Sequence, residues 1–178
     1  MKRFEGKRAV ILVEEDFEDV ELTQPRDKLT EKGVDVKIAG KKAGERYRGK
    51  RGKEAVTADL AAGEVNINEY DALIIPGGYA PDKMRLHQPM VDLARQAWDA
   101  GKIIAAVCHG PQLLISAGLA REKRMTSWPS VAIDLKNAGA EWVDEEVVQD
   151  GTLITSRSPA DLPAFSEAIL NELGEGRA

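Results

Sequence analysis

The stretch 103–112, Ile-Ile-Ala-Ala-Val-Cys-His-Gly-Pro-Gln, constrains the fold more than any other part of the chain. Its short apolar run ends abruptly at Cys108 and is followed by turn residues, which is typical of a buried strand in a parallel sheet. Gly110 permits a close approach between two backbones, and Pro111 suits the first position of a helix. The pattern predicts a strand, a sharp elbow and a helix, with Cys108 on the elbow.

Cys108 has two interpretations, an inert buried thiol or a nucleophile. The positive end of the following helix lowers the pKa of a thiol and favours the reactive thiolate. The predicted turn is similar to the nucleophile elbow of serine hydrolases, with sulfur in place of oxygen. We therefore predict that Cys108 is a nucleophile and that its pKa lies below the usual value of a free thiol.

Length and composition limit the classes of protein to which this chain can belong. The 178 residues, 43% of them apolar, predict one globular domain over 1–178. No apolar run is long enough to span a membrane, and the first five residues lack the apolar core of a secretion signal, so we expect a cytoplasmic protein. A net charge of -5 argues against general nucleic-acid binding.

The numbers of cysteines and histidines, and the absence of cofactor motifs, limit the metal and cofactor sites that the chain could form. A single cysteine allows no internal disulfide, which fits a reducing compartment, and no cysteine-based zinc site. The two histidines, His87 and His109, are too few for a histidine-rich metal site. Phosphate-loop and dinucleotide fingerprints are absent, so no cofactor is implied.

Strand-like and helix-like segments alternate along the chain. This alternation predicts an α/β fold with a doubly wound, mostly parallel sheet sandwiched by helices and a small antiparallel hairpin. The predicted strands are 7–13, 34–39, 54–59, 71–75, 103–107, a short one within 121–127, 141–143, 147–149 and 152–155. The predicted helices follow residue 20 and cover 88–100, 112–117, 131–137 and 160–173, and the tail 174–178 is expected to fray.

Two further segments follow predicted central strands and lie at the same sheet edge as Cys108. Residues 14–19 hold five acids in six positions, which is more than helix capping needs, so residues 17–19 are a site candidate as well as a cap. Pro76-Gly77-Gly78 is either a plain turn or a backbone whose N–H groups face an anion. Ligands of open α/β sheets bind at this edge.

A basic segment, residues 41–53, carries seven Lys or Arg with three interspersed glycines. It is compatible with a phosphate- or RNA-binding loop. A solvated glycine-rich hairpin explains the same pattern better in an acidic protein with few aromatic residues nearby. We favour the hairpin and expect it to contact a neighbouring subunit.

The linked motifs resemble the PfpI family. They are Phe-Glu-Asp-Val-Glu-Leu at 17–22, Pro-Gly-Gly at 76–78 and Ala-Val-Cys-His-Gly-Pro-Gln-Leu-Leu at 106–114. The resemblance extends nearly end to end, through residues 137–141 and 155–162. Members of that family are known as intracellular protease I or general stress protein, within the superfamily of the parkinsonism-associated protein deglycase and the class I glutamine amidotransferases.

The resemblance implies a flavodoxin-like sandwich with Cys108 as the nucleophile. Glu18 would hydrogen-bond the sulfur and be protonated for part of the cycle. His109 would act as general acid and base, although the residue type also suits a purely structural turn. The oxyanion hole maps to the backbone N–H groups of Gly78 and His109, and Gly77 lies in the pocket.

Family members also complete the site across a subunit interface, which implies a homodimer or a hexamer built as a trimer of dimers. Asp82 from the neighbouring subunit would orient His109, with a shorter side chain than the Glu of some relatives. Trp128 stands in the pocket where relatives often carry Tyr, so substrate preference would differ.

Three functions remain open at this point. The first is a glyoxalase III or deglycase-type hydrolase acting on a small carbonyl substrate, methylglyoxal or an early glycation adduct. The second is an intracellular cysteine peptidase with a peptide substrate. The third is a redox or stress sensor without catalysis, in which Cys108 is oxidised.

Overall fold

The computed structural model describes residues 3–175 and contains a seven-stranded sheet as its centre. The strand order is β10-β11-β7-β6-β1-β2-β5, and every neighbouring pair is parallel except β10 with β11. The strands are β1 Arg8–Leu12, β2 Asp35–Gly40, β3 Arg46–Arg48, β4 Ala55–Thr57, β5 Leu60–Ala61, β6 Ala72–Ile75, β7 Ile103–Val107, β8 Arg124–Met125, β9 Glu141–Trp142, β10 Val148–Asp150 and β11 Leu153–Ser156.

Helices cover both faces of the sheet. They are α1 Asp19–Glu31, α2 Ala80–Met84, α3 Gln88–Asp99, α4 Pro111–Ser116, α5 Ala132–Asn137 and α6 Leu162–Gly174. Helix α1 joins β1 to its neighbour on one side, whereas α3 joins β6 to β7 in the opposite direction. Because parallel crossovers are right-handed, these two helices lie on opposite faces. Helix α6 packs against α1, and α2 and α4 pack with α3, which gives the predicted flavodoxin-like sandwich.

The three central strands β1, β6 and β7 are buried on both faces because their residues are small or apolar almost throughout. Their carboxyl ends meet at one edge of the sheet. Each is followed by one of the segments predicted to carry the site, so this edge brings residues 14–19, 76–78 and 108–110 together.

The predicted hairpins form as well. Strand β10 returns as β11 through Asp150-Gly151, and β3, inside the basic segment, pairs with β4, which follows that segment. Strand β5 was not predicted, and it begins directly after the predicted strand 54–59. Residues 176–178 of the tail expected to fray lie outside the described residues. Within residues 3–175, no helix is both long enough and apolar enough to cross a membrane.

Candidate active site

Cys108 lies on a sharp elbow between β7 and α4, as predicted. Its φ is 63°, a left-handed conformation that a residue other than glycine rarely adopts. The elbow is held on both sides, because Cys108 N donates to Ser156 O at 3.0 Å and Trp128 N donates to Cys108 O at 2.9 Å. A Cβ atom on Gly110 would lie 2.6 Å from Ile75 O, so only glycine fits beneath the turn.

His109 places its ring beside the sulfur of its neighbour. The distance from Nδ1 to Cys108 Sγ is 3.2 Å, within reach for proton transfer. Burial lowers the pKa of His109, and the positive charge of Lys50 lowers it further. The imidazole is therefore neutral at pH 7 and able to accept a proton.

The carboxyl beside the thiol belongs to Glu21, and the prediction that Glu18 occupies this place is wrong. Glu21 lies within the first turn of α1 and is fully buried. Its Oε1 accepts from Gly77 N at 2.9 Å, and its side chain interacts with that of Cys108. Burial raises the pKa of Glu21 to about 8, so the group is a neutral acid at pH 7.

Glu18 instead holds two cations of the basic segment. Its carboxylate forms ion pairs with Lys50 Nζ at 2.8 Å and with the Arg51 guanidinium. Burial raises the pKa of Glu18, but the hydrogen bonds from Arg51 and Lys50 outweigh burial and leave the pKa below its usual value. Glu18 is therefore ionised, contrary to the prediction that it carries a proton for part of the cycle.

Gly77 and Gly78 lie against the elbow that carries Cys108. A Cβ atom on Gly77 would lie 2.5 Å from Glu21 Oε1 and 2.8 Å from Cys108 Cβ, so the glycine allows these groups to meet. The backbone N–H groups of Gly78 and His109 are both directed to the sulfur, where each favours the thiolate by donating to it. This is the pair of donors that the family resemblance assigns to an oxyanion hole.

The predicted lowering of the pKa of Cys108 does not occur. Burial raises the pKa of the thiol to about 12, and the negative charge of Glu21 adds to the rise. The N–H groups of Gly78 and His109 and the charge of Lys50 act in the opposite direction. The carboxyl and the thiol are coupled, because a proton kept on Glu21 removes the repulsion that opposes a thiolate on Cys108.

The remaining predicted residues occupy different places. Trp128 adjoins the elbow through its backbone and leaves 42% of its surface exposed. Asp82 lies exposed on α2, and its contact with a neighbouring subunit's His109 stays a prediction. Within the described part of the chain, no group of three or more His, Cys, Asp or Glu is arranged to hold a metal ion.

Two contributors to the site were missed by sequence reasoning, Glu21 and Lys50. Glu21 shares the spacing i, i+4, i+8 with Pro25 and Leu29, and all three are buried. An acid on the apolar stripe of a helix is the signal that distinguishes it from Glu18. Lys50 carries no such signal, since a lysine between glycines in a basic segment is typical of a solvent-exposed loop.

A family model matches residues 7–172 of this chain, and it is the model of the DJ-1/PfpI family. The chain belongs to the DJ-1/PfpI family. The resemblance to PfpI proteins seen in the motifs is thereby confirmed, and it covers the strands, the elbow and both glycines of the site.

Named relatives support the assignment. Protein/nucleic acid deglycase 2 of Escherichia coli is 44% identical over 170 residues, which cover 95% of this chain and 99% of that protein. A deglycase of Pyrococcus abyssi is 48% identical over 93% of this chain and 99% of its own length. Among solved structures, Drosophila melanogaster DJ-1beta has a TM-score of 0.88 at 32% identity, covering 95% of this chain and 91% of that one.

Proposed function

We propose that the protein is a cysteine-dependent deglycase of the glyoxalase III type, which converts methylglyoxal or early glycation adducts to lactate. The observation that carries the proposal is the convergence on Cys108 of two backbone N–H donors, a neutral imidazole and a neutral carboxylic acid. Relatives that cover nearly the whole chain are named deglycases, which supports the same chemistry. We place the reaction in the cytoplasm, where a lone thiol stays reduced.

The reaction begins when His109 takes the proton of the Cys108 thiol and the sulfur attacks a carbonyl carbon of the substrate. A C–S bond forms, and the carbonyl electron pair moves onto oxygen. The N–H groups of Gly78 and His109 stabilise this oxyanion, and a donor of this kind contributes about 2.7–4 kcal/mol where one has been removed from an oxyanion hole. A small carbonyl compound suits this step because both donors lie within hydrogen-bond reach of the sulfur, with Gly77 packed against the elbow.

Proton movements complete the turnover. His109 gives the thiol proton to the oxyanion and then moves a proton from the former aldehyde carbon to the neighbouring carbon, which leaves lactate bound to Cys108 as a thioester, while Glu21 keeps or shares its own proton with the sulfur. Water then attacks the thioester carbonyl, the C–S bond breaks, lactic acid leaves and the thiol is restored. Methylglyoxal plus one water gives lactic acid. An adduct of methylglyoxal with an amine plus one water gives lactic acid and the free amine, so both reactions balance without an oxidant or a cofactor.

The test measures lactate released from methylglyoxal, and free amine released from a methylglyoxal-treated lysine derivative. Wild type should form both products, and Cys108→Ala should lose at least a hundredfold in kcat/KM. Equal rates for the two proteins would refute the proposal. An Arg121→Ala variant, changed on the surface away from Cys108, controls for purification and carry-over.

We also propose that two or more copies complete the site, with Asp82 of a neighbouring subunit orienting His109. Cys108→Ala and Asp82→Ala each remove one part of the site. Because the parts would come from different subunits, mixing the two inactive variants under exchange conditions should restore about a quarter of the wild-type sites in a dimer. No recovery in exchanged mixtures, or full activity of Asp82→Ala alone, would contradict the shared site.

A further inference from the structure

The loop that joins β3 to β4 is fixed against the start of α1. The buried carboxylate of Asp19 accepts from three backbone N–H groups of the loop at 2.8–3.0 Å, those of Arg51, Lys53 and Glu54. Lys50 N donates to Phe17 O at 2.8 Å. A Cβ atom on Gly49 would overlap the Asp19 carboxyl group at 2.4 Å, so glycine is required for this contact. The backbone of the loop is therefore held in one place before any substrate arrives.

This fixed loop places Lys50 at the edge of the site, beside Glu18 and Tyr79. Its ammonium contacts Glu18 at 2.8 Å and lies 5.1 Å from the centre of the Tyr79 ring. An ammonium has three donors, and these two contacts leave one of them for another partner. The side chain is 25% exposed, so a dissolved anion can contact it.

The cations Lys50 and Arg51 lie near the carboxylates of Glu18 and Asp19. Glu18 pairs with both cations, whereas the Asp19 carboxylate accepts hydrogen bonds from backbone N–H groups of the loop. Glu21 is neutral when protonated. The positive charge of Lys50 lowers the pKa of both Cys108 and His109, so its field extends to the reacting atoms.

We propose that Lys50 is a specificity-determining residue, which selects carbonyl substrates bearing a carboxylate or phosphate beside the reacting carbon. The substrate anion would take the free donor of the ammonium while the adjacent carbon faces the sulfur. Glu18 and Asp19 are positioning residues for Lys50, the first through its side chain and the second through the loop. The inference rests on the proposed function for the attack of the sulfur on a carbonyl carbon, but its test measures the reactivity of Cys108 itself.

The test compares two alkylating agents of nearly equal size, iodoacetate and iodoacetamide. In both reactions the thiolate forms a C–S bond and iodide leaves, so the ratio of the two rate constants cancels changes in thiolate content. Cys108 is the only cysteine, and no other thiol contributes. The variants are Lys50→Met, Lys50→Arg and the matched control Lys53→Met, which removes the same charge from an exposed position of the same loop.

Wild type should show a ratio above that of an uncharged cysteine derivative in free solution. Lys50→Met should lower the ratio about three- to tenfold, the effect expected for one charge at a partly solvated site. Lys50→Arg should retain the ratio, and Lys53→Met should leave it within a factor of about 1.5 because solvent screens that charge. Equal ratios in wild type and Lys50→Met, or equal losses in Lys50→Met and Lys53→Met, would overturn the proposal.

The outcome separates this inference from the proposed function. A charge-dependent ratio in a protein that forms no lactate would refute the deglycase reaction and keep Lys50 as an anion-recognising group. Lactate formation with a ratio independent of Lys50 would keep the reaction and refute the role of Lys50. Circular dichroism of each variant verifies that the fold is retained.

Discussion

Replacement of Glu21 by glutamine tests the protonation state on which the site depends. Glu21 is buried, with Oε1 bonded to Gly77 N and burial raising its pKa to about 8. Glutamine has the same shape, keeps the oxygen for Gly77 and never ionises. Glu21→Gln therefore removes the titration while leaving the packing of α1 in place.

The direction of the effect on stability follows from the linkage between proton binding and folding. In the unfolded chain the pKa of this carboxyl is 4.5. Below that pH the group is neutral in both the folded and the unfolded state, so its ionisation does not affect stability. As the pH rises from 4.5 to about 8, the unfolded chain releases the proton and the folded protein keeps it, so wild type loses stability. At about 1.4 kcal/mol for each pH unit, Glu21→Gln should gain roughly 4 kcal/mol over wild type between about pH 5 and pH 8.

The assay is urea unfolding of both proteins at several pH values and one protein concentration. Glu18→Gln is the matched control. The pKa of Glu18 is lowered by its cations, so its contribution is fully present above pH 4.5 and is lost only in more acidic solution. The difference between Glu18→Gln and wild type should therefore stay constant from pH 5 to 8. A constant difference for Glu21→Gln over that range would refute the assignment of a neutral Glu21.

Three other substitutions test the supports of the site. Gly110→Ala should cost about 1–3 kcal/mol in unfolding free energy, because its Cβ would lie 2.6 Å from Ile75 O, whereas Gly63→Ala meets its nearest atom at 3.6 Å and should be nearly neutral. Asp19→Ala should lower the free energy of local opening of the loop by about 1–3 kcal/mol and speed hydrogen exchange of the three loop amides that Asp19 binds. Unchanged exchange would contradict the conclusion that Asp19 fixes the loop. His109→Gln should lower kcat/KM on methylglyoxal about 10²–10⁴-fold, and a smaller loss would argue that the imidazole is structural.

The strands and the elbow could be predicted because their signals are local. Strands β1, β6 and β7 are short apolar runs that end in turn residues, and such runs have few alternatives in a chain that alternates between strand and helix. The position of Cys108 followed from the same run. Strand β5 has only two residues, and pairing with β2 rather than its own sequence defines it.

The choice among the acids could not be made in the same way. Glu18, Asp19 and Glu21 lie within four positions, and their directions depend on the residue at which α1 begins. A shift of one residue turns a helical side chain by about 100°, enough to exchange a contact with the sulfur for a contact with the basic loop. That loop lies some 30 residues further on, and no local pattern reveals that Asp19 binds it.

The pKa of Cys108 was predicted in the wrong direction for a related reason. The sequence shows the helix that follows the thiol, which favours the thiolate. Burial of the sulfur and the nearby charge of Glu21 are tertiary properties, and together they outweigh that helix. Activation of the thiol therefore depends on where the proton of Glu21 resides.

The pH dependence of Cys108 alkylation by iodoacetamide in wild type, Glu21→Gln and Glu18→Gln tests this coupling most directly. Removing the charge of Glu21 should lower the apparent pKa of the thiol by one unit or more, whereas Glu18→Gln should change that pKa by less than about half a unit. An unchanged profile in Glu21→Gln, or a larger shift in Glu18→Gln, would contradict the conclusion that Glu21 is the carboxyl coupled to the nucleophile.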